Sequence, residues 1–460
     1  MYASCADNIR QDKAILTKAL HVGLDYICQS NWAQIPDGRH EIDKNNYVMI
    51  STYIVEPPES EDFQIERNRA FKKMVQDIRE PQDVEYTLPK GIQGKLRDYQ
   101  KTGFKWLKSL ASYGLGGILA DDMGLGKTLQ VLTFILSEKE DEQGPSIVIA
   151  PTSLVYNWQD EVTKFAPDLK IIVVSGQQSD RLEQLQAIEQ ADLVVTSYGL
   201  IKRDIALYEQ KNFKYCFLDE AQHVKNPNTL NAKAVKRIKA RSYFALTGTP
   251  IENTLTELWS IFDFVMPGYL RSHKAFTSRF EIPIVKNGDR AAQQELGRHI
   301  KPFILRRMKK TVLKELPEKI ESKMVSEMTV EQTKLYEAWL LQARTELETE
   351  LQTSGFEKSQ IKILSLLTRL RQICCHPSLF IENYQGGSGK LEMLQEILKD
   401  AISGGHRVLL FSQFTGMLHL IKQELDNLQI SYHYLDGSTK AEERIRLVHA
   451  FNSGEKGCLQ

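Results

Sequence analysis

The 460-residue chain is 42% hydrophobic and 26% charged, with a formal net charge of zero, an ordinary composition that allows several buried cores and two to four domains. The balanced charge excludes a histone-like binder held to nucleic acid by a global positive field, so any such contact must use local patches. Six scattered cysteines without a CxxC pair exclude a secreted disulfide framework, and with no eighteen-residue apolar run and no signal-peptide opening the expected location is cytoplasmic.

Residues 1–88 combine two amphipathic helical stretches, 14–24 and 63–78, with a short apolar run at 47–50 and carry no catalytic pattern. A polar segment marked by Pro81, Pro89 and Gly91 then separates this accessory region from a new domain. From residue 89 onward the chain alternates short apolar runs with helical stretches. The runs are 117–120, 147–150, 171–174, 193–195, 216–218 and 243–246, and near-continuous apolar strands between helices predict a parallel sheet covered on both faces. Its ligands belong at the carboxyl ends of the strands. The stretch 251–380 breaks that rhythm and reads as mostly helical, with basic residues interleaved among apolar ones. A second β/α unit opens at 408–411, repeats at 430–435 and is expected to be incomplete at Gln460. The boundaries read as 1–88, 89–300, 301–385 and 386–460.

Asp121-Asp122-Met123-Gly124-Leu125-Gly126-Lys127-Thr128 follows an apolar run and opens a helical pattern, the setting of a phosphate-binding loop. Gly124 and Gly126 let backbone N–H groups turn toward phosphate oxygens at the start of a helix. Lys127 supplies the cation for the terminal phosphates, and Thr128 a hydroxyl for magnesium. Asp121 departs from the strict pattern, which has glycine at that position.

Downstream, Phe217-Leu218-Asp219-Glu220-Ala221-Gln222 places two carboxylates at the end of an apolar strand. In phosphoryl transfer Asp219 would hold magnesium and Glu220 would orient and deprotonate the attacking water. Leu246-Thr247-Gly248-Thr249-Pro250 ends a third apolar run in hydroxyls; alone it reads as a helix cap. The three motifs in this order on one sheet point to a nucleoside-triphosphate site.

These motifs, with Leu96 to Gln100, Ala150 to Leu154, Thr196 to Tyr198, Leu370 to Pro377 and Tyr434 to Thr439, resemble the Swi/Snf-type ATPases of helicase superfamily two, especially bacterial members, over residues 92–460. The resemblance accommodates Asp121. It implies an α/β fold of tandem RecA-like lobes, the second incomplete, with helical insertions and an N-terminal helicase-associated region. It also implies ATP and Mg2+ as cofactors, with hydrolysis coupled to translocation on double-stranded DNA. The expected chain is monomeric, nucleoid-associated if bacterial, a remodeller of a nucleoprotein complex and not attached to a membrane.

By the same resemblance Gln100 reads the adenine with Arg97 nearby, and Met123 to Thr128 cradle the phosphates. Gln222, Thr247, Gly248 and Thr249 couple nucleotide state to the other lobe. DNA phosphates are met by Thr152, Ser153, Ser197 and Tyr198 in the first lobe and by Ser412, Gln413, Ser438 and Thr439 in the second, contacts that position a duplex without reading its sequence. The basic run Arg306-Arg307-Met308-Lys309-Lys310 lines a DNA groove or braces the lobes. The family's remaining segment carries a glycine-rich stretch and an arginine motif; without them, ATP binding with slow hydrolysis is expected. An RNA-dependent helicase and a nucleotide-gated module without hydrolysis are the competing readings. The helical segment between motifs favours the DNA motor, as does Gln222, where the best-known RNA helicases carry Asp or His.

Overall fold

The computed structural model describes residues 73, 76–78, 80, 85–139, 144–248, 254–315 and 320–454. The accessory-region stretches 14–24 and 47–50, and most of 63–78, lie outside them. The described chain divides into two compact units, one ending at Leu316 and the other running from Pro317.

The first unit is a seven-stranded sheet: β1 Gly117–Leu119, β2 Ser146–Ala150, β3 Ile171–Val173, β4 Leu193–Ser197, β5 Asn212–Leu218, β6 Lys239–Leu246 and β7 Ile304–Leu305. Every paired neighbour is parallel, in the order β3-β4-β2-β5-β6-β1-β7. The apolar runs of the sequence became these strands because β1, β2, β4 and the interior of β5 are buried throughout, and a strand buried on both faces has no use for alternation. Helices α1 Asp98–Ser112, α2 Lys127–Ser137, α3 Val155–Phe165, α4 Gln178–Ala187, α5 Tyr198–Tyr208, α6 Leu230–Val235 and α7 Leu255–Val265 accompany the sheet. A further helix, α8 Arg290–Ile300, precedes β7. The parallel ladder forces all strands to end on one edge, and the loop after β1, the acidic pair after β5 and Thr247 after β6 therefore meet there.

Strand β7 is the element that sequence reasoning missed. Ile304 and Leu305 register against Ile118 and Leu119 of β1, so the segment from residue 301, expected to start a separate brace, belongs with the first sheet. Two residues inside a helical stretch leave no period for a sequence to display.

The second unit contains α9 Val330–Cys375, α10 Gly389–Ser403, α11 Thr415–Asn427 and α12 Ala441–Ser453. Leu391, Leu398, Met417, Ile421 and Leu425 form its small core. The expected strands at 408–411 and 430–435 form no paired strand among the described residues beyond a single bridge residue, Val408. Phe411 is 88% and Leu409 50% exposed, so this run is not closed between two covered faces as the strands of the first unit are.

The centre of the first core is aromatic. Phe134 of α2 is fully buried and meets the rings of Tyr215, Phe217 and Phe244 at centroid distances of 4.7, 6.0 and 6.0 Å. Phe134→Ala should destabilise the protein by about 3–5 kcal/mol through lost burial and a residual cavity. A urea midpoint equal to that of the parent would contradict this packing role.

Candidate active site

The loop between β1 and α2 turns where glycine is needed. Gly124 has φ +85° and Gly126 φ +71°, left-handed values that glycine adopts without strain. Space is also restricted at Gly126, where a Cβ would come 2.6 Å from Gln100 Nε2. Lys127 begins α2, and its ammonium donates to the Asp121 carbonyl at 2.7 Å; Thr128 follows it on the same first turn. Met123 stands 74% exposed at the tip of the loop, while Leu125 is fully buried beneath it.

Gln100 supports the loop from below. Its Nε2 donates to the Leu125 carbonyl at 3.2 Å, and its Oε1 accepts from the Arg97 backbone N–H at 2.9 Å. The amide expected to read a base is thus engaged at both ends with backbone, and Arg97 turns its guanidinium to Glu315.

Asp121 is completely buried and paired with Arg307, whose Nε and backbone N–H donate to Oδ1 at 2.8 and 3.1 Å and whose Nη2 donates to Oδ2. The same guanidinium donates to Gln130 Oε1 at 2.7 Å and to the Tyr99 carbonyl. It joins the loop, α2 and α1. The backbone makes a parallel seam, with Ala120 N–H donating to Leu305 O at 2.7 Å and Asp122 N–H to Arg307 O at 3.1 Å. Arg307 was read as part of a groove-lining or lobe-bracing basic run; a buried carboxylate 186 residues earlier claims it instead.

The acidic pair lies at the end of β5. Asp219 Oδ2 accepts from the Trp158 indole at 2.9 Å and Oδ1 from the Glu220 N–H at 3.0 Å. Burial pushes the Asp219 carboxyl above the usual carboxylate range, and the neighbouring Glu220 charge adds to the rise against the opposing Trp158 bond. Glu220 sits at φ +49°, ψ +58°, a left-handed conformation that costs a residue with a Cβ and clusters at functional sites. Gln222 Nε2 donates to Glu220 Oε2 at 2.8 Å, and Thr247 Oγ1 donates to Gln222 Oε1 at 3.2 Å. A continuous hydrogen-bonded link therefore runs from the second acid to the end of β6. Gly248 lies beside the loop between β1 and α2, where a Cβ on it would be 4.0 Å from Met123 N. Thr249 and Pro250 lie outside the described residues.

Sequence reasoning overlooked two residues of α3. Trp158 holds Asp219, and burial raises the carboxyl of Glu161, with the nearby Asp219 charge adding to the rise. Their only signal was a tryptophan followed three residues later by an acid, which shares one helix face.

The residues expected to meet DNA divide. Thr152 and Ser153 are exposed after β2. Ser197 and Tyr198 are each 3% exposed: Ser197 caps α5 by accepting from Leu200 N–H at 3.4 Å, and the Tyr198 hydroxyl donates to the Asp219 carbonyl at 2.8 Å while its ring stacks on His223. Burial thus corrects the expectation of direct phosphate contact for this pair, which instead supports the acidic strand end. In the second unit Gln413 is exposed and accepts from Arg371 at 2.5 Å, while Ser412 bonds with the Phe414 backbone. Ser438 and Thr439 close a turn on Asp436, with Ser438 Oγ donating to its carboxylate at 2.6 Å and Thr439 Oγ1 accepting its N–H at 3.1 Å.

Residues 99–379 match the model of the SNF2-related domain, and residues 389–459 that of the helicase conserved C-terminal domain. The chain belongs to the SNF2-related family. A provisionally named ATP-dependent helicase/translocase of Bacillus subtilis (strain 168), YwqA, is 35% identical over 462 residues, covering 97% of this chain and 49% of the relative. The TATA-binding protein-associated factor MOT1 of Saccharomyces cerevisiae is 33% identical over 456 residues, 84% of this chain and 24% of that protein. Among solved structures, the Sulfolobus solfataricus SWI2/SNF2 ATPase core in complex with dsDNA is 38% identical, with a TM-score of 0.49 and coverage of 82% of this chain and 80% of that one. The chain spans about half or less of the length of these curated relatives. No described helix is long and apolar enough to cross a membrane.

Two outcomes follow from the buried acids. Arg307→Met should cost about 3–5 kcal/mol, because it strands the Asp121 carboxylate without a cation; adding Asp121→Asn should recover part of the loss in a denaturation-based double-mutant cycle. Asp219 titrates above its unfolded value, so the folded state binds this proton more tightly and its ionisation destabilises the fold as pH rises through the folded pKa. The parent should therefore lose stability as pH rises from the ordinary aspartate value through the folded pKa, and Asp219→Asn, which cannot ionise, should lack this part of the pH dependence. A melting-temperature difference between the two that is independent of pH would contradict it.

Proposed function

We propose that this chain is the motor portion of an ATP-hydrolysing translocase acting on double-stranded DNA. The observation that carries the ATPase reading is the link from Glu220 through Gln222 to Thr247, set on the same sheet edge as the Lys127 loop. The phosphate loop binds the nucleotide, with Lys127 offsetting polyphosphate charge, and Glu220 takes the proton of the attacking water. Gln222 reports the state of that carboxylate to Thr247. The names of relatives as ATP-dependent helicases and translocases support this assignment.

Thr128 and Asp219 hold Mg2+. Both offer the hard oxygen ligands that this ion selects, and Asp219 keeps lone pairs beyond those used by Trp158 and the Glu220 N–H. When bound, the ion supplies charge neutralisation at the polyphosphate. Thr152 and Ser153, exposed at the carboxyl end of β2, fit a phosphate-directed DNA contact in the first unit, and Gln413 and Ser438 are the exposed counterparts in the second. Such contacts favour binding that is salt-sensitive and indifferent to base sequence. Gln100 contributes to nucleotide affinity by holding the loop as well as through any base contact.

Lys127→Ala should abolish nucleotide binding, whereas Glu220→Gln should leave binding intact and lower turnover by about 10²- to 10⁴-fold, the usual contribution of a general base. Equilibrium binding of a fluorescent ATP analogue and steady-state phosphate release distinguish the two; parallel loss of binding in both variants would mean that the acid roles are misassigned. The same assay run with duplex DNA, single-stranded DNA and RNA should show the largest stimulation by duplex DNA, and preferential stimulation by RNA would replace the substrate assignment.

A further inference from the structure

The seam that carries Arg307 to Asp121 also delivers a second lysine to the phosphate loop. Lys309 is fixed by its backbone, whose N–H donates to Asp122 Oδ2 at 2.8 Å, two residues beyond Arg307, which is anchored on the buried Asp121 carboxylate. Its ammonium stands over Gly124, where a Cβ would lie 3.3 Å from Nζ. Among the described residues no carboxylate lies within ion-pair distance of that ammonium, although the neighbouring Arg307 is fully engaged. A solvated lysine needs no partner, but this one is held beside Gly124, whose φ of +85° glycine adopts without strain, on the loop that leads into Lys127 at the start of α2.

We propose that Lys309 is a second polyphosphate-binding cation of the nucleotide site, brought onto the loop by the Arg307–Asp121 pair. The inference rests on the reading that the Asp121–Thr128 loop binds ATP. It gives the aspartate in place of the usual glycine a purpose: the buried carboxylate recruits a distant basic segment, and that segment adds a charge the loop does not encode. Arg307, saturated by protein acceptors, acts as a positioning residue. Lys309 is the group that meets the ligand, and as an exposed side chain on a fixed backbone it can be replaced without opening the core.

The test is equilibrium binding of a fluorescent ATP analogue to the 460-residue chain and to Lys309→Gln, Lys309→Arg, Lys310→Gln and Lys127→Ala, with melting temperatures measured in parallel. Lys309→Gln should weaken binding about fivefold, the scale of one partly solvated charge interaction, and Lys309→Arg should restore most of it. Lys310→Gln removes the same charge from the next residue and should change affinity by less than twofold. Equal affinity of Lys309→Gln and the parent, with Lys127→Ala deficient, overturns the inference while leaving the ATP site standing. Equal losses from Lys309→Gln and Lys310→Gln also overturn it, because the effect is then a general field. No binding by the parent chain overturns both readings together.

Discussion

The pair between Asp121 and Arg307 is the constraint on which the candidate nucleotide site depends. A carboxylate with no solvent exposure is costly unless a cation and further donors meet it, and here a guanidinium, a backbone N–H and the Gln130 amide all do. Because Arg307 also reaches Gln130 and the Tyr99 carbonyl, the loop is fixed against both α1 and α2. The residue that broke the glycine pattern in sequence is therefore the anchor of the loop in space. Segment 304–309 is held as firmly as the loop, since the two share backbone hydrogen bonds across β1 and β7.

The second organising constraint is electrostatic crowding at the end of β5. Asp219, Glu220 and Glu161 bring three carboxylates to one region, and neutral donors meet two of them: the Trp158 indole and the Glu220 N–H at Asp219, and the Gln222 amide at Glu220. Neutral donors orient carboxylates without cancelling their charge, which suits ligands for a divalent cation and a base for water. Stability is sacrificed locally, through the raised Asp219 carboxyl and the left-handed Glu220 backbone, a kind of strain that clusters at functional sites. Gln222 then has a mechanical advantage over a charged residue: its amide donates to Glu220 and accepts from Thr247 at the same time, which neither a carboxylate nor an ammonium could do.

The sequence by itself determined the strand–loop–helix rhythm of the first unit, because strands buried on both faces must be written as continuous apolar runs; all six expected strands formed. It also located the glycine loop before α2 and the acidic pair after β5, because each is a set of particular residue types within a few positions of each other. Tertiary structure alone decided the rest. Strand β7 is two residues long and is defined only by its register against β1. Arg307 is indistinguishable in sequence from its basic neighbours, and its role comes from an acid 186 residues away. Trp158 and Glu161 matter because α3 lies beside β5 and the start of α2. Ser197 and Tyr198 have the hydroxyls of a phosphate contact, but packing turns them inward to a helix cap and the Asp219 carbonyl. The runs at 408–411 and 430–435 have strand-like composition, yet a strand exists only where a neighbour completes its ladder. Local patterns record which backbone a segment favours and which chemistry it can offer; which partner a polar side chain finds is set by long-range packing, and no local pattern encodes it.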